Sequence, residues 1–175
     1  MARLNQRTPA ALGYRMPAEW ELHEATWIAW PHERSDWPGK FAPVPWIYCD
    51  IVRHLARFEK VRILIASEKA EWQASRMLER SGANLDAVEF LRFETDRSWC
   101  RDYCPIFVKN RAGDVAITDW RFNGWAKYDN WTRDDQAPEA IAEKLGMTLF
   151  QPVSKGRRVV LEGGSIDVNG AGLLL

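Results

Sequence analysis

The sequence predicts a mixed α/β protein in which short strands alternate with helices. Three observations carry that expectation. Val61-Arg62-Ile63-Leu64-Ile65-Ala66 is an almost continuous apolar run of strand length. Directly behind it, Ser67 and Gly82 bracket a helix-length segment with an N-cap and a stop. Further along, Ile106-Phe107-Val108-Lys109 and Val115-Ala116-Ile117-Thr118 flank Asn110-Arg111-Ala112-Gly113-Asp114, which is hairpin chemistry.

Each element follows from its own pattern. Ile47, Ile51 and Leu55, flanked by Tyr48, Val52 and Phe58, recur at helical spacing and predict a helix over about Val44–Phe58. The strand at Val61–Ala66 and the helix from Ser67 to Ser81 come next, followed by a strand over Val88–Phe93 and the hairpin. Pro138 at a first helical position and Gly146 after Leu145 bracket a short helix. Met147–Phe150 and Arg158–Leu161 read as strands. Ser165-Ile166-Asp167-Val168 alternates as a half-buried strand, Asn169-Gly170 supplies a turn, and Leu173-Leu174-Leu175 opens a return strand. An unpaired Leu triplet is an aggregation hazard, so the reading expects the domain to continue past Leu175; a short terminal edge strand is the alternative. With no linker or low-complexity tract, residues 1–175 are expected to be the N-terminal portion of one domain.

Composition removes several function classes. The 24 basic and 24 acidic residues cancel, against the excess of Lys and Arg that a phosphate-tracking nucleic-acid binder carries. At 46% apolar and 27% charged, the chain can fill a core, which excludes wholesale disorder. No apolar run approaches the roughly 20 residues that cross a bilayer, and Met1–Arg7 has no apolar stretch behind it to make a signal peptide. A cytoplasmic protein with no membrane partner is expected. The ten tryptophans, five of them before position 47, are expected to be mostly structural.

Three segments hold the chemistry: Met16–Pro31, Asp96–Pro105 and Leu161–Val168. Each puts a carboxylate or a Trp at a strand end or entry loop, where ligands gather in α/β proteins. In Glu162-Gly163-Gly164 the glycines allow close approach of a ligand or of another backbone; a tight turn with a solvated Glu is the alternative. Arg101-Asp102 behind Trp99 is either a surface ion pair of little weight or part of a cation site, since guanidinium offers forked donors to a carboxylate and stacks on indole. Cys100 and Cys104 are four apart, but no second ligand pair at zinc spacing follows and His23, His32 and His54 all lie upstream. Neither a metal nor a cofactor is expected, and Cys49, Cys100 and Cys104 read as free thiols, buried rather than reactive.

In order along the chain, Met16-Pro17-Ala18-Glu19-Trp20-Glu21 through Trp30-Pro31-His32, Trp99-Cys100-Arg101-Asp102, Asp119-Trp120-Arg121-Phe122-Asn123-Gly124-Trp125 and Leu161-Glu162-Gly163-Gly164-Ser165-Ile166-Asp167 resemble the agmatine deiminase family, which includes the bacterial-type peptidylarginine deiminases. The resemblance spans about residues 16–175. It implies an α/β propeller of ββαβ repeats (the pentein type), of which this chain would hold two to three of five units. It also implies hydrolysis of the guanidinium group of agmatine to N-carbamoylputrescine and ammonia, a step toward putrescine in polyamine metabolism. The reaction would run through a covalent cysteine intermediate with a histidine moving protons.

Carried over by position, Asp102 matches the carboxylate that grips the guanidinium, and Glu162 matches the catalytic acid that orients the histidine. By the same resemblance, Trp99, Arg101, Asn123, Gly163 and Gly164 are expected to line the substrate. The family's Cys and His follow its Glu-Gly-Gly segment and have no counterpart within these residues. Two departures stand out: Cys104 replaces the Gly before Pro105, and Gly124-Trp125-Ala126-Lys127 replaces the usual Trp-Gly-Gly run. The partner implied is a small guanidine, with neither nucleic acid nor membrane; self-association as a homo-oligomer is left open. Peptidylarginine as substrate, and a non-catalytic guanidinium- or peptide-binding fragment, are the alternatives.

Overall fold

The computed structural model describes residues 8–175, so the expectation about Met1–Arg7 lies outside the described residues. The chain divides into two units. One is Leu22–Cys100; the other combines the described residues up to Glu21 with Arg101–Leu175.

In the Leu22–Cys100 unit, β1 (Ala25–Ala29), α1 (Val44–Leu55), β2 (Lys60–Ile65), α2 (Glu68–Ser81) and β3 (Val88–Arg92) alternate. The three strands form an all-parallel sheet in the order β1-β2-β3, in register at Ile28↔Ile63 and Ile63↔Phe90. Parallel strands need crossover connections, and α1 and α2 supply them. The helices lay an apolar stripe on the sheet, so Cys49, Val52, Ala56, Val61, Ile63 and Leu78 form one buried cluster. Ser67 caps α2, its side chain accepting from Ala70 N, and Gly82 closes it in the left-handed region at φ 76°. Two outcomes differ from expectation. The five-residue β1, inside the first motif, was not separated from its neighbours by pattern alone. Helix α1 ends at Leu55, and Phe58, expected on its apolar face, is 82% exposed.

The second unit contains α3 (Cys100–Tyr103, its first residue at the unit boundary), β4 (Ile106–Lys109), β5 (Val115–Thr118), α4 (Ala137–Leu145), β6 (Thr148–Phe150), β7 (Val153–Ser154) and β8 (Arg157–Arg158). Strands β4 and β5 are the expected hairpin, closed by Asn110, whose Oδ1 accepts from Asp114 N at 2.9 Å. Strand β6 pairs parallel to β5 after α4, so β4-β5-α4-β6 has the order ββαβ. Ile117, Phe122 and Ile141 are fully buried here, and Val108, Ala116 and Phe150 pack with Leu12, Tyr14 and Met16. Neither three-stranded sheet closes on itself.

The strand expected at Arg158–Leu161 is shorter. Strand β8 stops at Arg158, and a single parallel bridge, Arg121↔Val160, continues it. At the end, Val168 bridges Leu174, and Asp167 and Leu175 exchange both backbone hydrogen bonds, so the Leu173–Leu175 segment is paired on one side. The tryptophan expectation holds for six of the ten, which are half-buried, and fails for four. None of the ten is fully buried; Trp20, Trp46, Trp72 and Trp99 are exposed and the other six half-buried, and the buried residues of both units are smaller side chains together with Tyr103, Phe122 and Phe150. An indole is too large to be enclosed by layers this thin, and several stack edgewise or under arginines instead, as Trp27 does under Arg62. Among the described residues, no helix is long and apolar enough to cross a membrane.

Candidate active site

Arg101, Asp102, Glu162, Gly163 and Gly164 meet in the second unit. Asp102 sits on the four-residue helix α3, half-buried. Glu162 precedes a single 3-10 turn, Gly163–Ser165, which is closed by Ser165 N donating to Glu162 O at 3.0 Å and by the Ser165 hydroxyl at 2.7 Å to the same oxygen. The chain reaches Glu162 along Val159–Leu161, hydrogen-bonded to Arg121 by Arg121 N to Val159 O (2.9 Å) and Leu161 N to Arg121 O (3.3 Å).

The two glycines explain the contact between helix and turn. A Cβ on Gly163 would collide with the Arg101 carbonyl oxygen, and one on Gly164 with Asp102 Oδ1. Neither glycine has positive φ. They are therefore there for proximity, not for an unusual backbone conformation, and what approaches them is the Arg101-Asp102 backbone and carboxylate. The Gly164 backbone N–H donates to the Asp102 carboxylate.

Burial pushes the Asp102 carboxyl above its ordinary value. The neighbouring Glu162 charge pushes the same way; the Gly164 N–H and the Arg101 charge act against the shift. Among the described residues neither carboxylate is in an ion pair. Two partly desolvated acids side by side, with no cation between them, favour a cationic ligand.

Arg101 is not free to repel such a ligand. Its Nη1 donates to Glu19 Oε1 at 2.6 Å, an exposed pair that covers its charge. Glu19 belongs to the Met-Pro-Ala-Glu motif, but nothing in the sequence matched it to Arg101. Asn123, in the same unit, caps the 3-10 turn Gly124–Ala126, with Oδ1 accepting from Ala126 N at 3.0 Å. Cys104 has ordinary negative φ, so the side chain that replaces glycine there brings no backbone strain. By contrast, Gly124, Trp125 and Ala126 all have positive φ, at 63°, 57° and 53°.

Trp99 belongs to the other unit. It stacks on Trp37, with centroids 5.8 Å apart and planes 23° from parallel, and its Nε1 donates to Asp36 Oδ2 at 3.0 Å. Asp36 also pairs with Arg97, both side chains being almost fully buried. Asp36 carried no sequence signal, being a lone acid in a polar loop. The three histidines are all in this unit as well: His23 lies 2.6 Å from Glu59, His54 near Asp50, and His32 between the Trp30 and Thr95 carbonyls. None of Cys49, Cys100 and Cys104 is in a disulfide, and burial raises the Cys49 thiol above its ordinary value. Cys104 is only half-buried, against the expectation for all three.

A family model described as Porphyromonas-type peptidyl-arginine deiminase matches residues 15–175. The agmatine deiminase of Pseudomonas aeruginosa (strain UCBPP-PA14) is 36% identical over 173 residues, covering 96% of this chain and 44% of that protein. The agmatine deiminase of Ectopseudomonas mendocina (strain ymp) is 34% identical with the same coverage. Among solved structures, the agmatine deiminase of Enterococcus faecalis superposes with a TM-score of 0.86 at 26% identity, over 99% of this chain and 46% of that one. A C. jejuni agmatine deiminase solved with substrate bound gives 0.76 at 25% identity, over 92% and 44%. The chain thus spans less than half the length of the curated relatives it matches.

Proposed function

The chain belongs to the Porphyromonas-type peptidyl-arginine deiminase family, and from that premise we propose that it supplies the guanidinium-gripping part of an agmatine deiminase. The observation that carries the reading is the Asp102–Glu162 pair. Two acids held together by a glycine turn, one of them pushed toward its protonated form, are relieved by a bound cation. Agmatine is preferred to peptidylarginine because the relatives named above are agmatine deiminases.

In this reading Asp102 accepts from two guanidinium N–H groups and fixes the carbon for attack. Trp99 offers an indole face to the cation, and Glu162 holds the catalytic histidine. A cysteine thiolate adds to the guanidinium carbon; the histidine protonates the departing nitrogen, and ammonia leaves. Water then adds to the thiouronium carbon and passes one proton to the histidine; the carbon–sulfur bond breaks, and the remaining hydroxyl proton is lost to solvent as the ureido carbonyl forms. The products are the ureido compound N-carbamoylputrescine and the regenerated thiolate. By the family resemblance, the cysteine and histidine come from segments that follow Glu-Gly-Gly, outside these 175 residues. The reading includes a pentein-type propeller, to which β4-β5-α4-β6 contributes one ββαβ repeat, and a cytoplasmic place in polyamine metabolism.

The test is ammonia release from agmatine by the whole protein and its Asp102→Asn variant, beside a panel containing peptidylarginine and free arginine. The reading expects agmatine to lead the panel and the variant to lose it. An Asp102→Asn variant within about threefold of wild type, which is well under 1 kcal/mol on the barrier, overturns the assignment of Asp102.

A further inference from the structure

We propose that Asp36 is a positioning residue that tunes the Trp99 indole for a cation, and thereby makes the site discriminate guanidinium substrate from neutral ureido product. The inference rests on the proposed role of Trp99 in binding substrate. What carries it is the environment of one ring. Trp37 covers one side of Trp99 at 5.8 Å and 23°. Trp99 is nonetheless 41% exposed, so indole surface remains open for a ligand.

The ring's only polar atom is spoken for. Nε1 donates to Asp36 Oδ2 at 3.0 Å, and the other Asp36 oxygen pairs with Arg97. The Asp36 side chain is 4% exposed and the Arg97 side chain 5%. A buried, doubly engaged carboxylate cannot swing away, so it fixes the rotation of the indole about its bond to the chain. Trp37 fixes the tilt. The loop that bears Asp36 is held in turn: Glu33 accepts from Ser35 N at 2.8 Å, and Trp37 leans on Phe41 at 5.9 Å.

The second effect is electronic. Cations bind an indole face through the ring's negative quadrupole. Donation of the N–H to a carboxylate moves electron density into the ring and deepens that quadrupole; burial keeps water from screening the effect, and the paired Arg97 offsets only part of it. A neutral urea gains little from a deeper quadrupole, so the contact favours substrate over product. A glutamine or a backbone carbonyl in place of Asp36 would orient the ring without this charge-based selectivity.

The experiment compares the whole protein with Asp36→Asn and Trp99→Phe, reading KM and kcat for agmatine and the inhibition constant of N-carbamoylputrescine. Asp36→Asn is expected to raise KM about five- to tenfold, with a smaller change in kcat, and to move the product constant less than twofold. Because Asp36→Asn takes a carboxylate partner from the buried Arg97 and is expected to weaken folding, Asp36→Asn/Arg97→Met, which removes both charges, carries the same comparison. Equal weakening of substrate and product, or an unchanged KM, overturns the inference. Trp99→Phe separates the two ideas. If it leaves KM unchanged, Trp99 does not bind substrate and the functional reading of that residue fails; if it raises KM while the Asp36 variants do not, only the tuning fails.

Discussion

Asp102 sets the energetics at the scale of single residues. Its carboxyl is raised from the ordinary 3.8 by burial and by Glu162, so the folded state holds that proton more tightly than the unfolded chain does. As pH rises from about 3.8 through the raised value, ionisation drains stability, and above it the loss is complete. The two charges therefore cost the protein stability, which in the proposed function a bound cation would return. Asp102→Asn removes that cost, so it is expected to melt higher than wild type at pH 7 while losing turnover by roughly a hundredfold, about 3 kcal/mol. Thermal melts beside ammonia assays check both halves; a lower melting temperature would show that Asp102 makes stabilising contacts instead. Glu162→Gln is expected to lower the Asp102 value, readable by carboxyl NMR, and to act mainly on kcat. Both carboxylates were legible from the Arg-Asp and Glu-Gly-Gly motifs. Glu19 and Asp36 were not, because their partners Arg101 and Arg97 lie 82 and 61 residues away in sequence.

Two short turns set the geometry at the scale of elements. The Gly163–Ser165 turn lies so close to α3 that a single methyl group is too large. Gly164→Ala is expected to cost about 1–3 kcal/mol through overpacking and to lower activity by at least tenfold, since its Cβ strikes Asp102 Oδ1. Denaturant unfolding with activity measured on the folded fraction tests this; unchanged values of both would mean that the turn relaxes freely. The Gly124–Ala126 turn shows the opposite use of glycine. Trp125 and Ala126 hold left-handed angles that side chains resist; Trp125 matches the family's Trp, and Ala126 stands where the family resemblance expects glycine. Trp125 is kept there by edge-on packing against Phe122 at 5.0 Å and Tyr128 at 5.9 Å. Ala126→Gly is expected to stabilise the protein by up to about 1 kcal/mol, net of glycine's own entropy; destabilisation on chemical unfolding would refute the strain.

At the scale of the whole molecule, the two acids of the proposed site and the histidines belong to different units. Asp102 and Glu162 belong to the unit with Arg101–Leu175, while all three histidines belong to Leu22–Cys100, each engaged by a carboxylate or by backbone carbonyls. The 175-residue chain is thus expected to bind agmatine weakly, in the millimolar range of a single small-ligand contact set, and to release no ammonia from it. Calorimetry and an ammonia assay on the purified chain check the two parts, and turnover by that chain would place a base and nucleophile among residues given structural roles here. The second unit is also tied across nearly its full sequence. Arg15 donates to Glu21 at 2.6 and 2.8 Å and to the Gly170 carbonyl at 3.2 Å, and that pairing holds the Glu21 carboxyl down to about 2.

The sequence by itself determined the α/β class, helices α1, α2 and α4, the β4–β5 hairpin and the two acids of the proposed site. These are written locally: a cap such as Ser67, a stop such as Gly82, a strand-length apolar run, or a carboxylate fused to two glycines. Only the tertiary structure decided that β1, β2 and β3 lie parallel in that order, that β8 stops at Arg158, and which four of the ten tryptophans are exposed. The same holds for what the glycines of the site accommodate, and for which distant acid holds Arg101 and which holds Trp99. Those outcomes depend on hydrogen bonds and contacts between residues tens of positions apart, whose free energy is set by the space that the rest of the fold leaves and not by any neighbouring residue.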